Sequence, residues 1–336
     1  MITARLKDDK KGIAAAADIL KADGVVGIPT ETVYGLAASA FSDKAIEKVF
    51  IAKGRPQDNP LIVHISDIDM INSAVSDFCP IAKKLADAFW PGPLTLVLKK
   101  SEKIAESVSR GLDTVAVRMP SHEVAREVIK AAGIPLAAPS ANISGSPSPT
   151  TAQHVIADLD GKIDAVIMSG SSEVGVESTV VSLATDPPRL LRPGRVTAEE
   201  LMVYIPDLVI DKAVLSEPEK GEKVASPGMK YKHYSPKTEV VLISGSEETF
   251  ADFVNKQENC LAICFTEDEK NLTCDYLSYG AKTDGEAQAK SIFALLRQAD
   301  TLGKEKIYIH APEKSGVSLA VYNRLIRAAA FRVIEL

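Results

Sequence analysis

The order of apolar and polar positions along the 336 residues divides the chain into short strands and amphipathic helices. Residues 11 to 22 place Ile13, Ala16, Ala17 and Leu20 at helical spacing, and "GVVGIPT" then reads as a strand. The longer stretch "GVVGIPTETVYGLAASA" begins as that buried strand and is expected to end as a helix or loop. Between the two stand Thr30, Glu31, Thr32, Tyr34 and Gly35, where a plain core would hold apolar residues. "SDKAIEKVFIAKG" predicts a helix capped by Ser42 or Asp43, with Ile46, Val49 and Phe50 on one face. "PLIVHIS" predicts a strand, and residues 74 to 89 a helix that stops at Trp90-Pro91-Gly92-Pro93. "LTLVLKK" and "TVAVRMP" predict two more strands. "HEVAREVIKAAG" predicts a helix ended by Gly133, and "IPLAAPSAN" a further strand. "AQHVIADLDG" reads as a helix, "AVIMSG", "STVVSLA" and "PRLLRPG" as short strands, and "TAEELMVYI" as a closing helix. The mixture implies an α/β domain over residues 1–205, a large, partly antiparallel twisted sheet with helices packed against it.

The pattern changes near residue 206. "PDLVIDKAVLSEPEKGEKVASPGMKYKHYSPKTE" is polar, holds prolines and glycines, and has no sustained period, so residues 206–237 read as a linker. Met229, Tyr231, His233 and Tyr234 are too many large side chains for a pure spacer and suggest a lid over the first domain. Residues 238–336 then alternate strand and helix in the order of a small doubly wound, Rossmann-like α/β domain. No GxGxxG follows its first strand and no P-loop is present, so nucleotide binding there lacks support.

Composition narrows the function classes. The chain is 46% hydrophobic and 25% charged, as expected of a globular protein, and its net charge of −6 argues against coating nucleic acid unaided. Cys79, Cys260, Cys264 and Cys274 form no CxxC pair, so structural zinc is not expected. Nothing resembles a signal peptide or a membrane span, and a cytoplasmic location is the expectation.

Polar residues gather at strand ends and loops of the first domain. "AKGRPQDNPLIVH" brings Lys53, Arg55, Asn59 and His64 close together, and "DTVAVRMP" puts Thr114 and Arg118 on one face of a strand. "APSANISGSPSPT" is dense in Ser, Gly and Pro; "GVESTVV" offers Glu177, Ser178 and Thr179; "LLRPGR" adds Arg192 and Arg195. Singly, each has a plain explanation as a cap, a solvated loop or a hydrogen-bonded core histidine. Arg118 is harder to dismiss, because an arginine in a strand of Val and Ala must pair or line a cavity. Such a set suits a polyanion carrying a planar base, a nucleotide triphosphate, with forked guanidiniums and loop N–H groups at its phosphates. No GxSxG elbow or Cys-His pair supports covalent catalysis, which leaves positioning and charge stabilisation.

"PTETVYGL", "KGRP" followed by "NPL", "APSANISGSPSPT", and "ESTVV" followed by "RPG" resemble the threonylcarbamoyl-AMP synthase family of YrdC-type fold, across roughly residues 10 to 205 and in the family's order. "SPGMKYKHYSP" and the α/β tail resemble the longer, two-domain form. The resemblance implies a nucleotidyltransferase that makes threonylcarbamoyl-adenylate and pyrophosphate from L-threonine, bicarbonate and ATP, with Mg²⁺ accompanying ATP. Its product would supply threonylcarbamoyladenosine in tRNA, so tRNA or tRNA-modification proteins are the downstream partners to expect, and no membrane. It further implies Lys53, Arg55, Ser140 and Asn142 as the catalytic tetrad. Arg55, Asn59, Thr114, Ser140, Ser148, Arg192 and Tyr234 are implied at ATP, and Thr32, His64, Arg118, the Ala138 backbone and Ser178 at L-threonine, with His233 and Tyr234 as a cover. Spacing leaves Arg192 against Arg195, and Ser178 against Thr179, open, as it does the role of Glu31. The competing readings are an RNA-binding module of the same fold without ATP turnover, and a related carbamoyl-adenylate-forming enzyme such as serves hydrogenase maturation.

Overall fold

The computed structural model describes residues 2–54, 59–216 and 233–336. Arg55 and residues 217–232 of the linker, including Met229 and Tyr231, lie outside the described residues.

Local rules account for most elements. Asp9 accepts from the N–H groups of Lys11 and Gly12 and starts the helix Lys10–Lys21, whose apolar face (Ile13, Ala16, Ala17, Leu20) is buried. Ser42, rather than Asp43, caps the helix Asp43–Lys53, which Gly54 ends in the left-handed conformation. Lys53, the last helical residue, lies four residues after Val49 and three after Phe50 on the buried face and so points into the protein.

Eleven strands form the first sheet among the described residues: β1 (Ala4–Lys7), β2 (Val26–Ile28), β3 (Gly35–Ser39), β4 (Ile62–His64), β5 (Leu94–Lys99), β6 (Thr114–Arg118), β7 (Leu136–Ala137), β8 (Ala165–Met168), β9 (Thr179–Ser182), β10 (Arg189–Arg192) and β11 (Val209–Ile210). Their order is β1-β8-β2-β3-β7-β4-β6-β5-β9-β10-β11, with parallel and antiparallel pairs mixed, as the alternating pattern predicts. A smaller, all-parallel sheet follows: β12 (Glu239–Ser244), β13 (Cys260–Cys264), β14 (Asp275–Ser278), β15 (Lys306–His310) and β16 (Val333–Glu335), in the order β14-β13-β15-β12-β16. Helix Glu247–Val254 packs on one face through Phe250 and Val254. Helices Gly285–Ala299 and Ser318–Ala328 pack on the other through Phe293, Leu296 and Leu325, so the small domain is doubly wound.

Three expectations change. "GLAAS" is strand β3, antiparallel to β2, rather than helix or loop; all its residues are buried, so no two-residue alternation marks it. The helix expected over 74–89 is two, Ile71–Ala74 and Pro80–Phe89, because Val75 bridges to Lys100 in extended form and Pro80 opens the second helix. The stretch after 205 still contributes β11, which pairs with β10.

The two domains share one apolar cluster: Val33 and Val176 of the first pack with Tyr234, Phe293 and Leu325. Gly175 permits this approach, since a Cβ there would lie 2.4 Å from the Cα of Lys290. Arg297 forms a bidentate pair with Asp158 (3.0 and 2.8 Å), and Arg195 meets Glu286 at 2.8 Å. No described helix is long and apolar enough to cross a membrane.

Candidate active site

The floor of the site follows from strand alternation. β4 and β6 run parallel with His64 opposite Arg118; Val63 and Val117 face the core under the helices, which sends His64 and Arg118 to the other side. There a cavity enclosing about 730 Å³, counting its open mouth, is lined by Thr32, His64, Arg118 and Ala138 on one flank. Lys53, Ser140 and Asn142 form a second wall, Glu177, Ser178 and Arg192 a third, and His233 and Tyr234 lie across them.

Arg118 is 3% exposed, so its charge must be met within the protein. Its Nη2 lies 2.6 Å from Glu31 Oε1, its Nη1 donates to Thr32 Oγ1 (2.8 Å), and its Nε donates to the Gly92 carbonyl (3.1 Å). Of the five N–H donors of a guanidinium, two remain for a ligand. Burial pushes the Glu31 carboxyl up, but Arg118 and the Ser121 N–H outweigh it and hold the group below its ordinary value. Glu31, whose role the sequence leaves open, thus orients Arg118. Thr30 shapes the turn beneath: its hydroxyl donates to the Val33 carbonyl (2.6 Å) and meets Thr32 Oγ1 at 2.9 Å.

Lys53 gathers the opposite wall. Its ammonium donates to the Ser140 carbonyl and to the carbonyl (2.7 Å) and side-chain oxygen (3.4 Å) of Asn142. Asn142 Nδ2 in turn donates to the carbonyls of Ile143 and Ser146, both at 2.8 Å, curling residues 140–146 into a compact loop. In the third wall, Arg192 donates to the Ser178 carbonyl (3.0 Å) and hydroxyl (3.1 Å), and that hydroxyl meets Thr95 at 2.8 Å. Burial lowers the Arg192 pKa to about 10, which leaves it cationic at neutral pH. Among the described residues, the cations Lys53, Arg118 and Arg192 line the cavity against one carboxylate, Glu177, so the cavity is suited to anions.

The open pairs separate here. Ser178 and Arg192 line the cavity. The Thr179 hydroxyl donates to the Val196 carbonyl (2.6 Å), and Arg195 points to Glu286 at the domain boundary. Asn59, Thr114 and Ser148 are not among the lining residues. Thr114 begins β6, four residues short of Arg118, opposite Lys99. Asn59 is buried, and Ser148 donates to Glu177 and so stands behind the wall. Val33, Ser144 and Ser146 line the cavity without having been singled out. Tyr234, with φ of 63°, is buried, and the Ser235 N–H donates to the Gly145 carbonyl (2.9 Å), which fastens this end of the connecting segment to the loop.

His64 supplies a pH test. Burial lowers its pKa to about 3, and the Arg118 charge acts the same way; its Nδ1 lies 3.2 Å from the Ile62 carbonyl. The unfolded imidazole takes up a proton near pH 6.5 and the folded one does not, so stability is lost as pH falls from 6.5 toward 3. His64→Gln should therefore lose about 2 kcal/mol less than the parent between pH 7 and pH 5. Urea unfolding at the two pH values measures this; equal losses would mean that the imidazole is not held neutral.

Comparison with known proteins places these features in a wider set. Residues 18–194 match the family described as telomere recombination, and residues 196–330 the one described as threonylcarbamoyl-AMP synthase, C-terminal domain. The chain is 42% identical to the threonylcarbamoyl-AMP synthase of Pyrococcus abyssi, covering 100% of this chain and 99% of the relative. It is 42% identical to that of Bacillus subtilis, covering 99% and 97%. The crystal structure of P. abyssi Sua5 complexed with L-threonine superposes with a TM-score of 0.89 at 40% identity, covering 100% of this chain and 99% of that one.

Proposed function

The chain belongs to the threonylcarbamoyl-AMP synthase family, and from that premise we propose how its cavity carries out the reaction. The enzyme forms threonylcarbamoyl-adenylate and pyrophosphate from L-threonine, bicarbonate and ATP, for threonylcarbamoyladenosine modification of tRNA. In this reading it acts as a nucleotidyltransferase. The threonine amine and bicarbonate give a carbamate and water. A carbamate oxygen then attacks the α-phosphorus, and the bond to the leaving pyrophosphate breaks.

The observation that carries the reading is that one cavity brings the Arg118–Thr32–His64 group face to face with Lys53, Ser140, Asn142 and Arg192. Arg118 has N–H donors left for the threonine carboxylate, steadied by Glu31, while Ala138 and Ser178 complete that pocket. The loop of Ser140 and Asn142, with Arg192 and Tyr234, takes the nucleotide, and the sequence motif adds Arg55 to that role. Ser148 contributes through Glu177. Two anions held together in a largely buried site need their repulsion screened and water kept out, because a carbamate is short-lived in bulk water. Mg²⁺ arriving with ATP would neutralise part of the triphosphate charge.

Pyrophosphate release should require L-threonine and bicarbonate together, since the nucleophile is their adduct. L-Serine should be the poorer substrate by only about 10–200-fold, the discrimination one methyl group allows. Omitting each component in turn measures this. Full turnover without threonine would overturn the reading, and salt-dependent RNA binding without turnover would favour a binding module.

A further inference from the structure

Arg324 sits on helix Ser318–Ala328 of the small domain, is 0% exposed, and reaches into the wall of the first domain's cavity. Its Nε donates to Glu177 Oε2 (2.8 Å), its Nη2 to the Glu177 carbonyl (3.1 Å), and its Nη1 to the Pro193 carbonyl (2.8 Å). Those two carbonyls belong to the residues immediately before Ser178 and immediately after Arg192. The guanidinium also lies 5.8 Å from the Tyr234 ring centre. One side chain therefore ties together the two backbone segments that present Ser178 and Arg192, the carboxylate beside them, and the aromatic ring across them.

We propose that Arg324 is a positioning residue of the active cavity, through which docking of the second domain sets the nucleotide-binding wall. The physical reason is the arginine's geometry: a planar fork can hold a carboxylate and two carbonyls at fixed angles, which a lysine cannot. Glu177 is 7% exposed, and its other oxygen receives the Ser148 hydroxyl. Without Arg324, a buried carboxylate loses its ion pair and is left to the charge of Arg192 on that wall. Arg192 is then drawn from the Ser178 oxygens it now meets. The Arg118 end of the threonine pocket is built separately, on Glu31, Gly92 and Ser121, and only Ser178 links that pocket to Arg324, so the larger effect falls on the nucleotide.

This inference rests on the assignment of the Arg192 wall to ATP, and its test separates the two. Full-length parent, Arg324→Ala, Arg324→Lys, Glu177→Gln and the Arg324→Ala/Glu177→Gln pair are compared by steady-state pyrophosphate release, by calorimetric binding of ATP and of L-threonine, and by melting midpoint. Glu286→Gln, which breaks the Arg195 pair at the same domain boundary away from the cavity, is the control and keeps parental kinetics. Arg324→Ala should lower kcat/KM for ATP by about 100-fold and Arg324→Lys by about 10-fold, with the threonine Kd rising through Ser178 by no more than about tenfold. The double variant should lose little beyond the Arg324→Ala loss, because both changes remove one unit. A folded Arg324→Ala or Arg324→Lys protein with parental ATP kinetics, or fully additive losses, overturns the proposal. If Arg324→Ala does not fold, Arg324→Lys decides. If the parent binds ATP but releases no pyrophosphate, the functional reading fails, and ATP binding by the variants decides this one. A parent that binds no ATP overturns both.

Discussion

Replacing Arg118 with alanine should remove threonine binding and destabilise the fold together, and a second change should separate the two effects. The guanidinium is buried on β6 against Glu31, Thr32 and the Gly92 carbonyl. Its loss leaves the Glu31 carboxylate buried without its cation, a defect of about 3–5 kcal/mol. It also removes the partner proposed for the substrate carboxylate, which should weaken L-threonine by at least about 100-fold. Glu31 is held below its ordinary pKa, so its stabilising contribution is present at neutral pH and lost as pH falls through that folded value. In Arg118→Ala the burial acts unopposed, Glu31 is raised instead, and the pH dependence in the acidic range flattens. Adding Glu31→Gln should restore much of the stability, because a neutral amide is easier to bury than a lone carboxylate. Binding should not return. Calorimetry with L-threonine and urea unfolding of the parent, single and double variants make the comparison. Normal threonine binding by Arg118→Ala with ATP binding lost would mean that the two pockets are assigned the wrong way round.

The part of this site readable from sequence is the part in which a residue contradicts its surroundings. Arg118 in "TVAVR" and His64 in "LIVHI" stand out because an apolar strand buries what it carries, and the structure sets them side by side in register. The partner that makes Arg118 tolerable was visible as a residue but not as a role. Glu31 lies 87 positions earlier, in the turn between β2 and β3, and only the sheet order brings the two together. β3 escapes its sequence for a related reason: a strand buried on both faces has no alternation to detect. Asn59 and Thr114 show the converse, since polar residues near a site in sequence need not be among the described residues that line its cavity. Arg324 left a trace, an arginine within the apolar helix "SLAVYNRLIRA", yet its partner is 147 residues away in another domain. Periodicity identifies which face of a helix is buried; it does not say which domain lies against it.

Lys53 carries the last prediction, because its sequence position invites a direct phosphate contact while its hydrogen bonds also hold a loop. Lys53 is 2% exposed, and its ammonium donates to oxygens of Ser140 and Asn142. Its place on the buried face of the helix, four residues after Val49 and three after Phe50, aims it there. Lys53→Met keeps the aliphatic length and removes the donors, which leaves buried carbonyls without their charged partner. Hydrogen bonds to a charged group contribute about 1.5–3 kcal/mol each, so the loop 140–146 should loosen by several kcal/mol in local stability. The nucleotide wall then loses Ser140, Asn142 and Ser144 as one unit, and turnover should fall by about 1,000-fold, more than for Ser140→Ala alone. Lys53→Arg should not rescue it, since a planar guanidinium does not fit a pocket shaped around a compact ammonium. Hydrogen exchange of the amides in 140–146, measured without ligands, distinguishes the two roles. Exchange should rise in Lys53→Met before any ATP is added. If ATP binding is lost while these amides keep parental protection, Lys53 acts directly on the phosphates and the loop stands without it.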